Sequence, residues 1–383
     1  MNFPRVLCIT NDFGPRAGGI ETFVIGLIER LPKNSVVVYT SRQADSAPFD
    51  EKWRREYGVE VIRDRSSVLL PTFRVGRAVR KIASDQNIKH VFFGAAAPLA
   101  LLSQGLRKSG VTRIVALTHG HEVWWSKIWP FSWLIRRIGD GVDHLTYLGE
   151  FTRSHIARAL SPRAQSAMVK IAPGIDIKHF TPTHTEVREE LGIQFKKVIV
   201  CVGRLVHRKG QDVLVEALPT ILRKIPDAHL LFVGTGPREA HLRKRVSALS
   251  INDAVTFIGR VHYQELARYI CAGDIFAMPA RSRLAGLEVE GLGIVYLEAS
   301  ACGLAVVGGN SGGAPDAVIH NETGIIVDGT SISDVAQACT ALLQDPERAQ
   351  AMGARGRQWI AEEWQWDRWA TEFARLLTAD QIS

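Results

Sequence analysis

Short β-branched runs alternate along the chain with stretches whose apolar positions fall three and four residues apart. The runs Val6–Thr10, Val36–Thr40, Val59–Ile62, His90–Phe93 and Ile114–Thr118 predict strands. Helical spacing lies between them, over Ile20–Leu31, Phe73–Ala83 and Leu99–Lys108. Near residues 172–182 a Pro/Gly connection, APGIDIKHFTP, breaks the rhythm, and then it restarts. Val198–Val202, His229–Val233, Val255–Ile258, Ile275–Met278, Ala305–Gly308 and Gly324–Val327 predict six more strands. Gln211–Ile225, Arg238–Leu249 and Trp366–Thr378 predict helices. Strands alternating with helices imply parallel sheets covered on both faces, with ligands at the carboxyl ends of the strands. We therefore expect two α/β domains, 1–171 and 172–365, with about 366–383 as a closing helix.

Within this frame one stretch, residues 280–315, concentrates chemistry. Glu290 and Glu298 stand eight positions apart, with Gly291 and Gly293 between them and an apolar run beginning at Ile294. The pattern predicts a helix over Ile294–Cys302, stopped by Gly303. A glycine-rich entry leaves the first N–H groups of such a helix available to an anion. Glu290 then sits in the loop and Glu298 on the helix, where each can accept from sugar hydroxyls. Carboxylates at this spacing are also common on solvated helix faces, so the pair gains meaning only from the other loops.

Three loops follow predicted strands. Arg16-Ala-Gly-Gly-Ile20 opens a helix, a place suited to phosphate or sugar, but its glycines do not spell the dinucleotide fingerprint. Thr118-His-Gly-His-Glu122 puts polar groups at a strand's carboxyl end; it lacks a third zinc ligand or the helical His-Glu-x-x-His spacing. The chain has no Asp-x-Asp pair, so no metal is expected. Gly203-Arg-Leu-Val-His-Arg-Lys-Gly210 brackets a turn with Arg204 and Lys209, two cations able to neutralise a diphosphate without a metal.

Composition narrows the setting. The share of hydrophobic residues, 46%, is that of a globular protein, and no window is apolar enough to span a membrane. The N-terminus already reads as a strand, so no secretory leader is expected. Five scattered cysteines without Cys-x-x-Cys suit the cytosol and read as small buried hydrophobes, with neither a metal nor a redox role expected. Residues 1–170 hold 25 Lys and Arg against 14 Asp and Glu; the remainder holds 22 against 25. The first half should therefore face something anionic or present a merely solvated surface. Arg74, Arg77, Arg80 and Lys81, interleaved with Val75, Ala78, Val79 and Ile82, predict a basic amphipathic helix fit for anionic lipid. Trp124, Trp125, Trp129 and Trp133 form either an interfacial belt or an aromatic core patch. No nucleic-acid-reading motif occurs, so nucleic acid is not an expected partner.

Taken together, GGI at 18–20, HGHE at 119–122, PGID at 173–176, GRLVHRKG at 203–210, VGTGP at 233–237, GRV at 259–261, Glu290 with Glu298, and SGGAPD at 311–316 resemble the retaining GT-B glycosyltransferases that carry a Glu-x7-Glu motif. FGAAAPLAL, THGHEV, DIFAMPAR and EVEGLGIVYLEA are similar to the PimB-type phosphatidylinositol mannosyltransferases in particular. The resemblance spans nearly the whole chain. It implies two Rossmann-like domains with parallel sheets facing across a cleft, the C-terminal helix returning to the first. It also implies metal-independent transfer of mannose from GDP-mannose to a phosphatidylinositol mannoside, with retention, at the cytoplasmic face of the membrane, as part of phospholipid metabolism. By resemblance His119 and Glu290 act at the reacting centre. Gly19, Arg204, Lys209, Val261, Gly291, Gly293, Ile294 and Glu298 hold the donor. From their basic amphipathic and aromatic pattern, Arg74, Arg77, Arg80, Lys81, Trp124 and Trp125 are the candidates for acceptor or membrane. A soluble glycosyltransferase using another nucleotide sugar, a sugar-nucleotide epimerase, and a non-catalytic protein binding an anionic surface stay open as alternatives.

Overall fold

The computed structural model describes residues 3–16 and 18–378; the end of the expected closing helix, 379–383, lies outside them. Two compact units emerge. One runs up to Gly174 and takes in the helix Trp366–Thr378; the other is Ile175–Gln365.

The first unit is a seven-stranded, wholly parallel sheet: β1 Val6–Thr10, β2 Val36–Thr40, β3 Glu60–Arg63, β4 His90–Phe93, β5 Arg113–Ala116, β6 His144–Tyr147 and β7 Met168–Lys170, in the order β3-β2-β1-β4-β5-β6-β7. The central strands β1, β4 and β5 are buried throughout, as expected of a sheet with both faces covered. On one face the helix Phe73–Asp85 buries Val75, Val79 and Ala83, four apart, and its entry is capped by Thr72, whose hydroxyl accepts from the Val75 N–H. The helix Trp366–Thr378 returns to this same sheet. Its Phe373 meets Phe92 edge-on at 5.1 Å, and the Leu377 carbonyl accepts from His90 Nδ1 at 2.5 Å. Trp366 fills the space beside Gly26 on the helix Gly19–Ile28, where a Cβ would lie 2.2 Å from the indole.

The second unit carries a six-stranded parallel sheet: β8 Lys197–Val202, β9 Ala228–Val233, β10 Val255–Gly259, β11 Ile275–Met278, β12 Ala305–Gly309 and β13 Gly324–Val327, ordered β10-β9-β8-β11-β12-β13. Chain order reverses direction at β8 and β11, the switch point where open α/β sheets place their ligands. β6, β7 and the helices Ala47–Tyr57, Glu122–Lys127 and Phe131–Gly141 were not foreseen from the pattern. Their apolar positions are too few or too aromatic to separate helix from strand.

Candidate functional site

At the switch point of the second sheet, the loop leaving β8 and the loop leaving β11 meet. The first contains one tight helical turn, His207–Lys209, and ends on Gly210 at φ +74°. A Cβ there would lie 2.0 Å from the Pro279 carbonyl oxygen, so only glycine lets the two loops close. The closure delivers Lys209, nearly buried, to Glu290: Nζ lies 2.8 Å from Oε2, with Arg208 Nε 3.8 Å from the same oxygen. Burial alone would raise Glu290; the Lys209 charge and hydrogen bond, with Arg208, outweigh it and hold the carboxyl below its usual range.

The backbone of Glu290 is fixed by the serine–glycine loop. Its N–H donates to Ser311 Oγ at 3.4 Å, and its carbonyl accepts from the Gly313 N–H at 2.8 Å. Gly293, at φ +79°, turns the chain into the helix Ile294–Ala301, one residue shorter than expected, and no side chain caps that helix's entry. Tyr296 anchors the helix by donating to the Met278 carbonyl at 2.7 Å. Glu298 lies one turn inside, buried. Burial raises its carboxyl to about 7, with only the charge of Lys209 pulling the other way. Two carboxylates on one motif are thus set apart: Glu290 ionised against a cation, Glu298 poised near neutrality.

The other second-unit candidates are distributed as follows. Arg204 is exposed and its backbone carbonyl accepts from Gln211 at 3.2 Å. Gly291 and Ile294 are half-buried beside Glu290 and at the start of the helix. Val261, also half-buried, follows β10; the Gly234 N–H donating to the Gly259 carbonyl at 2.7 Å ties its loop to the one after β9. Arg208, which the sequence reading passed over beside Lys209, belongs to this group.

In the first unit a second cluster forms at the carboxyl ends of β1, β4 and β5. His119 follows β5; its Nε2 donates to the Gly94 carbonyl at 2.5 Å, and its backbone N–H donates to Glu122 Oε2 at 3.0 Å. Phe23 stands edge-on to the ring at 5.6 Å. Burial draws the imidazole below its ordinary range despite Glu122, so His119 is neutral at physiological pH. With Nε2–H committed to Gly94, Nδ1 is the acceptor nitrogen. His121 Nε2 lies 3.3 Å from Glu122 Oε1, and Glu122 is fully buried. Asp12, after β1, was missed. Burial first and the nearby Glu21 second raise its carboxyl to about 6, against Arg16 and His121. The strand-end rule that found His119 applies equally to Asp12. Gly19 opens the neighbouring helix, and a Cβ there would meet nothing within 4 Å, whereas at Gly18 it would lie 2.2 Å from Glu21 Oε2.

The basic helix differs from the uniform cationic face read from its sequence. Arg74 is not a free cation: it forks onto Asp64 at 2.6 and 2.8 Å, and Asp64 also accepts from Tyr39. Lys81 pairs with Asp85 at 2.5 Å. Arg77 and Arg80 are exposed and, among the described residues, form no ion pair. Phe73, at the helix start, is 99% exposed, with Val68 and Leu70 in the preceding loop also exposed. Trp124 and Trp125, open between an acceptor or membrane role and an aromatic core patch, pack with Phe131 at 4.9 and 5.0 Å and are half-buried; Trp129 and Trp133 are the exposed pair, at 81% and 52%. No helix among the described residues is long and apolar enough to cross a membrane.

Known proteins share this organisation. The family model for glycosyl transferases group 1 matches residues 184–359, and that for glycosyltransferase family 4 matches 17–179. The chain is 44% identical, over 99% of both chains, to a GDP-mannose-dependent alpha-(1-6)-phosphatidylinositol monomannoside mannosyltransferase of Mycobacterium tuberculosis. It is 41% identical, over 98% of both, to the enzyme of Corynebacterium glutamicum named for a monoacylated acceptor. Among solved structures, Anabaena HepE in complex with UDP superposes with a TM-score of 0.81 at 17% identity, over 98% of this chain and 100% of that one. The chain belongs to the GT-B glycosyltransferases, in the branch of the PimB-type phosphatidylinositol monomannoside mannosyltransferases.

Proposed function

We propose that this enzyme transfers mannose from GDP-mannose to a phosphatidylinositol mannoside, with retention and without a metal. The observation that carries the reading is the buried Lys209–Glu290 pair beside Glu298, on a chain whose relatives carry that activity in their names. Those names favour it over an epimerase, a non-catalytic binding protein or a soluble transferase of another sugar. Arg204, Lys209 and Arg208 offset the charge of the leaving diphosphate. Glu290, held ionised, accepts from mannose hydroxyls, and Glu298 accepts from the ribose. Val261 meets the guanine through its backbone. The acceptor hydroxyl attacks the anomeric carbon as the bond to phosphate breaks, and a leaving-phosphate oxygen takes its proton. Incubation with GDP-mannose, UDP-glucose and phosphatidylinositol mannosides, with product identification by mass spectrometry, tests this. Mannosylated lipid from GDP-mannose alone, formed equally in EDTA, is expected; activity lost to the chelator and restored by Mg²⁺ would overturn the metal-free account.

The carboxyl of Glu298 gives a pH signature. Its folded value, about 7, stands above the ordinary 4.5, so its stability contribution is complete below 4.5 and is lost as pH rises through 7. Ribose hydroxyls favour the ionised form. GDP affinity should therefore climb between pH 6 and 7, approaching about tenfold per unit, relative to Glu298→Gln. Calorimetric profiles that run parallel in the two proteins would remove Glu298 from the ribose.

The docking face we assign to Arg77 and Arg80, with Phe73, Val68 and Leu70 as the apolar edge, fits an anionic bilayer on the cytoplasmic side. Vesicle binding should rise with anionic lipid, fall with salt, and drop in Arg77→Gln/Arg80→Gln. Arg74→Gln should act through stability, since its charge is already met by Asp64. Equal binding to neutral and anionic vesicles would refute the assignment.

A further inference from the structure

The helices Glu122–Lys127 and Phe131–Gly141 pack against each other, and the turn between them carries Ile128 and Trp129 into solvent, with Trp133 exposed just beyond it. The turn has a firm base. Trp124 and Trp125 lie 5.6 Å apart and both meet Phe131, while Ile135 and Ile138 sink the second helix into the core of the first unit. Indoles held out on a packed base add little to the fold. Two of them beside an exposed Ile form a patch, not the single scattered apolar residues of an ordinary surface.

The surroundings of this patch are cationic. Arg136 and Arg137 are exposed, and the Arg137 guanidinium lies 5.4 Å from the centre of the Trp133 ring. Asp140, the acid of the same helix, is taken up by Ser161, whose hydroxyl donates to it. The patch also continues the basic face described above. Arg137 donates to Gln104 Oε1 at 3.1 Å, on the helix Ser103–Lys108. The next residue, Gly105, lies against Arg80: a Cβ there would come within 3.1 Å of Arg80 Nη1. Arg80 and Arg137 thus reach neighbouring residues of one short helix, so the cations of Phe73–Asp85 and the indoles share one surface.

We propose that residues 128–133 are an aromatic anchor that inserts Trp129 and Trp133 into the headgroup–acyl boundary of a bilayer, as the inner part of the face that Arg77 and Arg80 begin. The proposal deepens the bilayer reading above and rests on it. Tryptophan suits that boundary, its rings toward the acyl chains and its N–H toward the headgroups, and the adjoining arginines meet lipid phosphates. A second copy of this chain is a poorer occupant, because the cations around the indoles would face their own kind. The anchor is tied to the His119 loop. Glu122, which accepts from the His119 N–H, starts the helix that ends at the turn, and six residues of helix are about 9 Å long. That span leaves room for a sugar headgroup between His119 and the lipid boundary.

Vesicles with brominated acyl chains test the anchor, since bromine quenches only indoles that reach acyl depth. Wild-type emission should fall on binding to brominated anionic vesicles. Trp129→Phe/Trp133→Phe should still bind and lose most of that quenching. Trp129→Ser/Trp133→Ser should bind at least about tenfold more weakly than wild type, as expected when buried aromatic surface is lost. GDP binding to each variant controls for folding. Raised salt should weaken wild-type binding but leave the quenching per bound protein unchanged, because insertion of an indole is not screened. Bound wild-type protein without quenching, or a Ser variant that binds as wild type does, would overturn the anchor and leave the basic face standing. Quenching that is full on neutral and anionic vesicles alike, with equal binding to both, would uphold the anchor and overturn the basic face. Absence of binding to any vesicle would overturn both. A wild-type dimer that Trp129→Ser/Trp133→Ser turns into monomer would overturn the bilayer as occupant and assign the turn to a second copy.

Discussion

Lys209→Ala should reduce GDP-mannose affinity by about 10- to 150-fold and depress turnover further, because a hydrogen bond to a charged group contributes roughly 1.5–3 kcal/mol. Two losses combine in this variant. The proposed diphosphate loses a cation, and Glu290 keeps a buried carboxylate whose remaining nearby support is Arg208, at 3.8 Å, and the Gly291 backbone. Breaking one side of a buried pair costs about 3–5 kcal/mol of stability. The pH dependence has a definite sign. Glu290's folded value is depressed, so the pair's contribution is present above the ordinary 4.5 and is lost as pH falls through the lowered value. The stability gap between wild type and Lys209→Ala should therefore narrow in acid, where Glu290 takes a proton. The pair Lys209→Met with Glu290→Gln separates the two roles: melting temperature should recover most of its loss, and turnover should not. Arg204→Ala should cost less than Lys209→Ala in both measurements, because the Arg204 side chain is exposed and, among the described residues, forms no ion pair. Equal affinity in wild type and Lys209→Ala would remove the lysine from the diphosphate.

His119→Ala should leave GDP affinity within about twofold of wild type and lower turnover by about 10²–10³, the size of one lost electrostatic contact in a transition state. The ring is neutral with its Nε2–H fixed on Gly94, which leaves Nδ1 as the nitrogen able to accept; the donor proposed for it is a sugar hydroxyl. The alanine variant keeps the backbone carbonyl, so the comparison also separates ring from main chain. Near-normal turnover in His119→Ala with collapse in His121→Ala would move the role to His121. Calorimetry with GDP and a single-turnover assay on one preparation decide between them.

Which of these features could be read before folding depended on how far their partners lie along the chain. Glu290, Glu298 and Lys209 were legible because each occupies a strand-end loop or helix entry whose local pattern is distinctive. That Lys209 grips Glu290 was not legible, since 81 positions separate them and only the meeting of the β8 and β11 loops brings them together. Arg74 looked like its helical neighbours; its bidentate partner Asp64 lies in the preceding loop, outside the helical period. The four tryptophans were indistinguishable by spacing, and burial sorted them, Trp124 and Trp125 into packing around Phe131 and Trp129 and Trp133 outward. Asp12 required the same strand-end reasoning as His119, but a single acid after a strand carries no motif of its own.

The return of Trp366–Thr378 to the first sheet has a consequence for biogenesis. On the ribosome the second unit, a continuous stretch from Ile175 to Gln365, is complete before the first, whose Phe92 and His90 wait for Phe373 and Leu377 at the far end of the chain. Although the first unit is synthesised first, it is the last able to finish folding, which departs from the usual N-to-C order of domain maturation. A nascent chain stopped at Gln365 would carry a closed second unit and an apolar stripe left open on β4 and β5. Such a chain is a client for chaperones, and a late nonsense mutation would strike first at the half of the protein farthest from it in sequence.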